Sequence, residues 1–270
     1  MFCRGAGIHT ISTRVGSPIV WGIGYGGPLT ISKKIKAVLF DLDGTLRHNR
    51  PSAVDTFFDY AVQLGLENSG EDRIRATRWA HYYFAQSAEL VSDMGMYPDE
   101  DDFWRNYARR SLESYGCSSE MAKELAPRVH QYMKDMYQPE DWVPPDVPET
   151  LEELRAAGYR LAMLSNRTNP YDEQLEALGL ESYFEFAIAA GVVDSWKPDV
   201  VVFQHAVRNY GIPPGEILYV GDNYYADVIG AENAGLVPVL VDPEGVFPDA
   251  GCMVIREMGE LPDLLGKYQP

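Results

Sequence analysis

This chain is short of cysteine, of basic charge and of long apolar runs, and each shortage removes a class of function. Cys3, Cys117 and Cys252 are its three cysteines, far apart in sequence. They supply no CxxC pair, zinc-ligand spacing or disulfide framework. Inert thiols in a reducing cytoplasm are expected. No stretch approaches the roughly 18 apolar residues that a membrane-spanning helix needs. Lysine and arginine total 23 against 40 acidic residues, a net charge of −17. Such a field disfavours nucleic acid and anionic membranes as partners. It also repels small anions, so an anion site must be made locally by a metal ion, a lysine or backbone N–H groups.

Acidic residues are themselves missing from residues 1–36, which carry Arg4, Arg14, Lys33, Lys34 and Lys36 among many Gly, Ser and Thr. No signal-peptide apolar core with a clear cleavage site is present. Residues 1–35 read as a flexible extension, with an organellar transit peptide as the less favoured reading. Within them, Gly22 to Gly27 match GxGxxG literally. Dinucleotide binding needs a helix directly afterwards. Pro28-Leu29-Thr30-Ile31-Ser32 is β-prone instead, so the glycines read as linker.

What is there is a 270-residue chain that is 46% apolar and 12% aromatic, enough to bury a sizeable core. Val38 to Phe40 form a short apolar run that ends in Asp41-Leu42-Asp43-Gly44-Thr45. The run predicts a buried strand, stopped by Gly44, with two carboxylates leaving its end. From residue 148 onward the pattern alternates. Helices are expected near 148–157, 172–178, 199–210 and 225–234, and strands near 160–164, 184–189, 216–220 and 237–241. Gly158, Gly211 and Gly235 supply helix stops. This alternation predicts an α/β fold with a doubly wound parallel sheet.

Residues 50–140 interrupt it with helical periodicity. Trp79, Tyr83, Phe84 and Val91 form one stripe, Trp104 to Tyr115 a second, and Met121, Leu125, Val129, Met133 and Met136 a third. These stripes read as the core of a small bundle, with breaks at 66–70, 92–98 and 116–119. Ser118 or Ser119 is a candidate N-cap, and Pro127 a candidate kink or stop. Gln138 to Asp146 is proline-rich and reads as a hinge. The expected organisation is therefore a core domain of residues 36–48 and 144–270, with a helical subdomain of residues 49–143 inserted after the first strand.

The predicted strand ends share a chemistry. Ser165 and Asn166 follow one strand, Lys197-Pro198-Asp199 follow another, and Gly221-Asp222 with Asp227 follow a third. In a parallel α/β sheet these ends converge on one crevice with Asp41 and Asp43. Like carboxylates about 4 Å apart repel by roughly 4 kcal/mol per pair at an effective dielectric near 20. A cation must compensate, and oxygen donors without His or Cys select a hard ion, with Mg2+ the natural choice. Lys197 adds positive charge, and Ser165 and Asn166 can donate hydrogen bonds to phosphate oxygens. Such a site suits phosphoryl transfer. Each element alone is ordinary; their order and placement are not.

Together these motifs resemble the haloacid dehalogenase superfamily over about residues 36–265, in its phosphatase branch with a helical cap, similar to phosphoglycolate phosphatases. The resemblance implies a Rossmann-like core and an enzyme that hydrolyses a small phosphate ester. Asp41 would be the nucleophile that becomes an aspartyl-phosphate. Asp43 would be the general acid and then the base, and Lys197 would neutralise and orient Asp41 and the phosphate. Ser165, Asn166 and Thr45 would stand on the substrate side. Asp41, Asp43 through its backbone carbonyl, Asp222 and Asp227 would surround Mg2+. Asp43 itself argues for phosphate chemistry, since dehalogenases of the superfamily lack it. A phosphomutase on the same scaffold and a catalytically idle binding protein are the rival readings; isomerisation of a hexose phosphate without phosphate release marks the first.

The resemblance fails at Arg47-His48-Asn49, where the family often has an apolar residue, then Asp and Ser. Arg47 and His48 are candidates to touch the substrate's leaving group, with solvated hinge residues as the alternative reading, and the departure weakens transfer of a phosphoglycolate-type substrate. Trp196 is expected to pack in the core. His81, His130 and His205 are expected to be ordinary helix residues. Composition and motifs leave the oligomeric state open.

Overall fold

The computed structural model describes residues 34–67 and 69–267. The glycine-rich motif at 22–27 and nearly all of the expected extension lie outside the described residues. Ile35, placed in that extension, is buried in the core.

In chain order, β1 (Ala37–Phe40) leads to β2 (His48–Arg50) and into the helices α1 (Ala53–Gln63), α2 (Gly70–Phe84), α3 (Ala88–Met96), α4 (Glu100–Ser114) and α5 (Ser119–Met136). The chain returns through β3 (Glu140–Trp142) to α6 (Asp146–Ala156), β4 (Arg160–Ser165), α7 (Asp172–Ala177), β5 (Ala187–Ala189) and α8 (Ala190–Val193). It ends with α9 (Val200–Tyr210), β6 (Ile217–Gly221), α10 (Ile229–Asn233), β7 (Val237–Val241), β8 (Met253–Ile255) and α11 (Leu261–Gly266).

Six strands form one sheet in the order β5-β4-β1-β6-β7-β8, with every pairing parallel. Parallel strands buried on both faces need continuous apolar runs, and β1, for example, is buried at every position. Side chains alternate between two cores. Val38, Phe40, Leu161 and Met163 enter one, and Leu39, Ala162, Leu164 and Tyr219 the other. β1 lies between β4 and β6, so the strand order reverses at β1. In such sheets that is where ligands bind.

Helices α1–α5 lie between β2 and β3, and this helical insertion, called the cap below, has its own cluster of Phe57, Phe58, Leu112, Tyr115, Leu125 and Val129. Three expectations for this region need correction. The stripe from Trp79 to Val91 is not one helix. Gln86 adopts φ +55°, and Ser87 caps α3 by accepting from the Leu90 N–H; Val91 is exposed on that second helix. The break expected at 92–98 is helical to Met96. Pro127 neither ends nor splits α5. It stands on the exposed face with Lys123, whose carbonyl, deprived of its helical donor, can turn to water.

The hinge is also more ordered than a proline-rich loop. β2 and β3 pair antiparallel, His48 opposite Trp142 and Arg50 opposite Glu140. Arg50 lies over the Trp142 ring at 5.0 Å. The two linkers into and out of the cap therefore form one ribbon. On its far side the cap touches the core through α2. The Asn223 amide donates to the His81 carbonyl at 3.1 Å, and Arg78 Nε donates to the Val246 carbonyl at 2.6 Å. No helix among the described residues is long and apolar enough to cross a membrane.

Candidate active site

The turn after β1 aims the first pair of carboxylates. The Asp41 N–H continues the sheet by donating to the Val220 carbonyl at 2.9 Å. The chain then folds tightly, with the N–H groups of Leu46 and Arg47 both donating to the Leu42 carbonyl at 3.0 Å. Gly44 sits in this turn at φ +95°, and a Cβ there would lie 2.4 Å from Asp222 Oδ2. Only glycine meets both demands.

The loop after β6 brings in the second pair. Asn223 Oδ1 accepts from the Tyr225 and Ala226 N–H groups at 3.0 Å. This caps a single π turn over Tyr224–Val228. The turn carries Asp227 back under the strand end, where its Oδ2 accepts from the Asn223 N–H at 2.9 Å. Gly221 lets it lie there, because a Cβ on Gly221 would meet the Asp227 carboxyl carbon at 2.4 Å.

Lys197 joins the two turns. Its Nζ donates to Asp41 Oδ1 at 2.6 Å and to Asp227 Oδ1 at 2.7 Å. It also reaches the Tyr219 hydroxyl at 2.9 Å. Asn166 fixes the lysine's backbone: its Oδ1 accepts from the Lys197 N–H at 2.7 Å, and its amide donates to the Lys197 carbonyl at 3.0 Å. Asn166 was expected to face phosphate; here it is a strut for the Lys197 loop.

Three carboxylates, Asp41, Asp222 and Asp227, offer oxygen atoms all within 4.8 Å of one another. Burial pushes Asp41 up to about 7, with Lys197 pulling the other way and Asp227 and Asp43 adding to the rise. Burial also raises Asp222 well above the carboxylate range, with Asp41 and Asp227 contributing. Burial lowers the affinity of Lys197 for its proton, but Asp227 and Asp41 outweigh it, so the ammonium persists. One lysine does not neutralise three acids. The surplus of negative charge and the all-oxygen donor set fit a hard divalent cation.

Asp43 is turned to other partners. Arg47 Nη1 donates to its Oδ1 at 2.8 Å. Arg167 holds it in bidentate fashion, Nε to Oδ2 and Nη2 to Oδ1, both at 2.8 Å. Burial would raise its pKa, but the hydrogen bonds and charges of Arg167 and Arg47 hold it below the usual carboxylate value. The Asp43 carboxylate is not among the clustered ones, so a metal role for this residue rests on its backbone carbonyl. Thr45 is buried and donates to Asp222 Oδ1 at 3.2 Å. Ser165 is buried at the end of β4.

Arg47 and His48 part company. Arg47 is no solvated hinge residue: it is 4% exposed and bonds to Asp43, Asp141 and Asn49. His48 lies on β2 with its ring 5.9 Å from Trp142, and burial together with Arg47 lowers its pKa. Trp196 packs against the core, and His130 lies 3.6 Å from Asp101 in the cap. His81 is less ordinary than expected, half-buried at the cap–core contact with its pKa pushed down to about 4 by desolvation.

Sequence reasoning missed Tyr219, Arg167, Asp141 and Gln174. A tyrosine inside an apolar strand reads as core, and the last two gain meaning only from their partners. Arg167 alone had a signal, since it directly follows Ser165-Asn166.

Comparison with known proteins matches residues 35–235 to the haloacid dehalogenase-like hydrolases. The human haloacid dehalogenase-like hydrolase domain-containing protein 3 is 36% identical over 226 residues, covering 83% of this chain and 87% of that protein. The ribulose-1,5-bisphosphate 5-phosphatase of Halopiger xanaduensis is 31% identical over 211 residues, covering 77% of this chain and 84% of that one. A solved structure of a predicted phosphoglycolate phosphatase from Haemophilus somnus shares the fold, with TM-score 0.53 at 21% identity, over 86% of this chain and 99% of that one.

Proposed function

The chain belongs to the haloacid dehalogenase-like hydrolases, and we propose that within them it is a magnesium-dependent phosphatase that acts on a small phosphorylated metabolite through an aspartyl-phosphate on Asp41. The observation that carries this reading is the Lys197 ammonium held between Asp41 and Asp227, beside Asp222. A nucleophilic carboxylate, a fixed cation and a place for a second cation meet at one strand end.

In the first half-reaction the Asp41 carboxylate attacks phosphorus. The bond from phosphorus to the alcohol oxygen breaks, and Asp43 gives that oxygen a proton. In the second, Asp43 takes a proton from water as the water oxygen attacks phosphorus, releasing phosphate and restoring Asp41. Ser165 donates to a phosphoryl oxygen, and Lys197 balances the charge that gathers at Asp41. Magnesium would be held by Asp41, Asp222 and the backbone carbonyl of Asp43. Asp227, whose oxygens serve Lys197, Tyr219 and the Asn223 N–H, stands behind them. The metal supplies electrostatic stabilisation of phosphoryl charge. The cap, touching the core at Asn223 and Val246, keeps bulk water from the intermediate.

The relatives' names support removal of phosphate from small phosphate esters, as in ribulose 1,5-bisphosphate. Unpaired Cys117 and Cys252 fit a reducing compartment such as the cytoplasm. The test is hydrolysis of p-nitrophenyl phosphate with magnesium. Chelation and Asp41→Asn should each abolish turnover; activity that survives both overturns the mechanism.

A further inference from the structure

The proposed phosphatase chemistry uses Asp43 as a proton carrier, yet both of its oxygens are held by arginines. Three N–H groups converge on this one carboxylate, Arg47 Nη1 and Arg167 Nε and Nη2, each at 2.8 Å. Each guanidinium is fastened from its other edge. Asp141 accepts from Arg47 Nε at 2.9 Å, Asn49 accepts from Arg47 Nη2 at 2.6 Å, and Gln174 accepts from Arg167 Nη1. Gln174 in turn donates to Asp141 at 2.5 Å, which closes the ring of side chains. The donors are thus oriented by groups other than Asp43 as well as by Asp43 itself.

Charge points the same way. Two guanidiniums, Arg47 and Arg167, are gathered around Asp43 in a molecule of net charge −17. Planar, bidentate N–H donors of this kind suit a carboxylate or a phosphate. In the proposed reaction Asp43 serves the leaving oxygen, so the cradle that holds Asp43 belongs to the leaving-group side.

Resting on the phosphatase reading, we propose that Arg47 and Arg167 bind a second anionic group, a carboxylate or a further phosphate, on the alcohol portion of the substrate, and that Asp43 occupies this site until the substrate does. The substrate's own anion displaces the Asp43 carboxylate and frees it for the leaving oxygen. Esters that lack a second anion leave Asp43 in the cradle and turn over slowly.

The experiment compares matched pairs with the magnesium-loaded full-length enzyme. Phosphoglycolate is set against 2-hydroxyethyl phosphate, and 1,3-propanediol bisphosphate against 3-hydroxypropyl phosphate, with p-nitrophenyl phosphate as reference. In at least one pair the anionic member should have a kcat/KM at least about tenfold higher. The pair that shows it identifies carboxylate or phosphate as the ligand. In Arg167→Met that ratio should fall to near one, and Arg167→Lys should restore part of it. The ratio is unaffected by a general loss of active protein. If p-nitrophenyl phosphate is hydrolysed but both wild-type ratios are near one, the second-anion site is wrong and the phosphatase reading stands. If no ester is hydrolysed, both fall.

Discussion

Lys197 and Asp227 form a buried ion pair, Nζ to Oδ1 at 2.7 Å, in residues that are 2% and 1% exposed. The same ammonium reaches Asp41, so one residue answers two acids. Removing one partner of a buried pair leaves an uncompensated charge, at a cost of about 3–5 kcal/mol. Lys197→Met should therefore lower the unfolding free energy by roughly that amount in urea titrations. It should also cut kcat on p-nitrophenyl phosphate by at least about 100-fold. A variant with wild-type kcat would remove Lys197 from the chemistry.

The crowding of Asp41 has a pH signature. Its folded-state value of about 7 lies above its ordinary 3.8. The unfolded chain therefore ionises first, and ionisation works against folding. The metal-free protein should be most stable below about pH 4 with respect to this group and lose that contribution as pH rises to about 7. Asp222 shifts in the same direction. Melting curves in EDTA should show the decline, Asp41→Asn should flatten it, and magnesium should raise the melting temperature most at neutral pH.

Tyr219 lies beneath the site, its hydroxyl 2.9 Å from Lys197 Nζ and 3.0 Å from Asp227 Oδ1. It holds the lysine from below and touches no substrate in the proposed reaction. Tyr219→Phe should lower kcat by about tenfold with KM little changed, and cost about 1–3 kcal/mol of stability. An unchanged kcat would mean that the two carboxylates alone place Lys197.

At Gly44 both the backbone and the neighbour forbid a side chain, φ being +95° and a Cβ falling 2.4 Å from Asp222 Oδ2. Gly44→Ala should displace Asp222. The expected readout is at least about tenfold more magnesium for half-maximal activity, measured beside a circular dichroism spectrum that shows the fold retained.

Much of the core was legible because its signals are local. An apolar run stopped by Asp, Ser or Gly marks a strand end at Phe40, Leu164 and Val220, and parallel topology sends such ends to one edge. The ribbon of His48–Arg50 with Glu140–Trp142 was not legible. Its pairing joins residues about ninety positions apart, and neither segment has a strand's apolar alternation. Likewise the apolar period runs on from Phe84 to Val91, while Gln86 and Ser87 break the helix between them.

The sequence by itself determined the chemistry at the strand ends: four carboxylates, one lysine and the glycines that let them meet. Their identity and order follow from residue type and from strand and turn propensity, which act over a few positions. Only the tertiary structure decided who holds whom. Asp227 is matched to Lys197, Asn166 to a backbone, and Asp43 to Arg47 and Arg167 instead of the other acids. Those choices depend on distances between side chains far apart in sequence. Burial then makes them matter, by removing the water that would otherwise screen each charge from the rest.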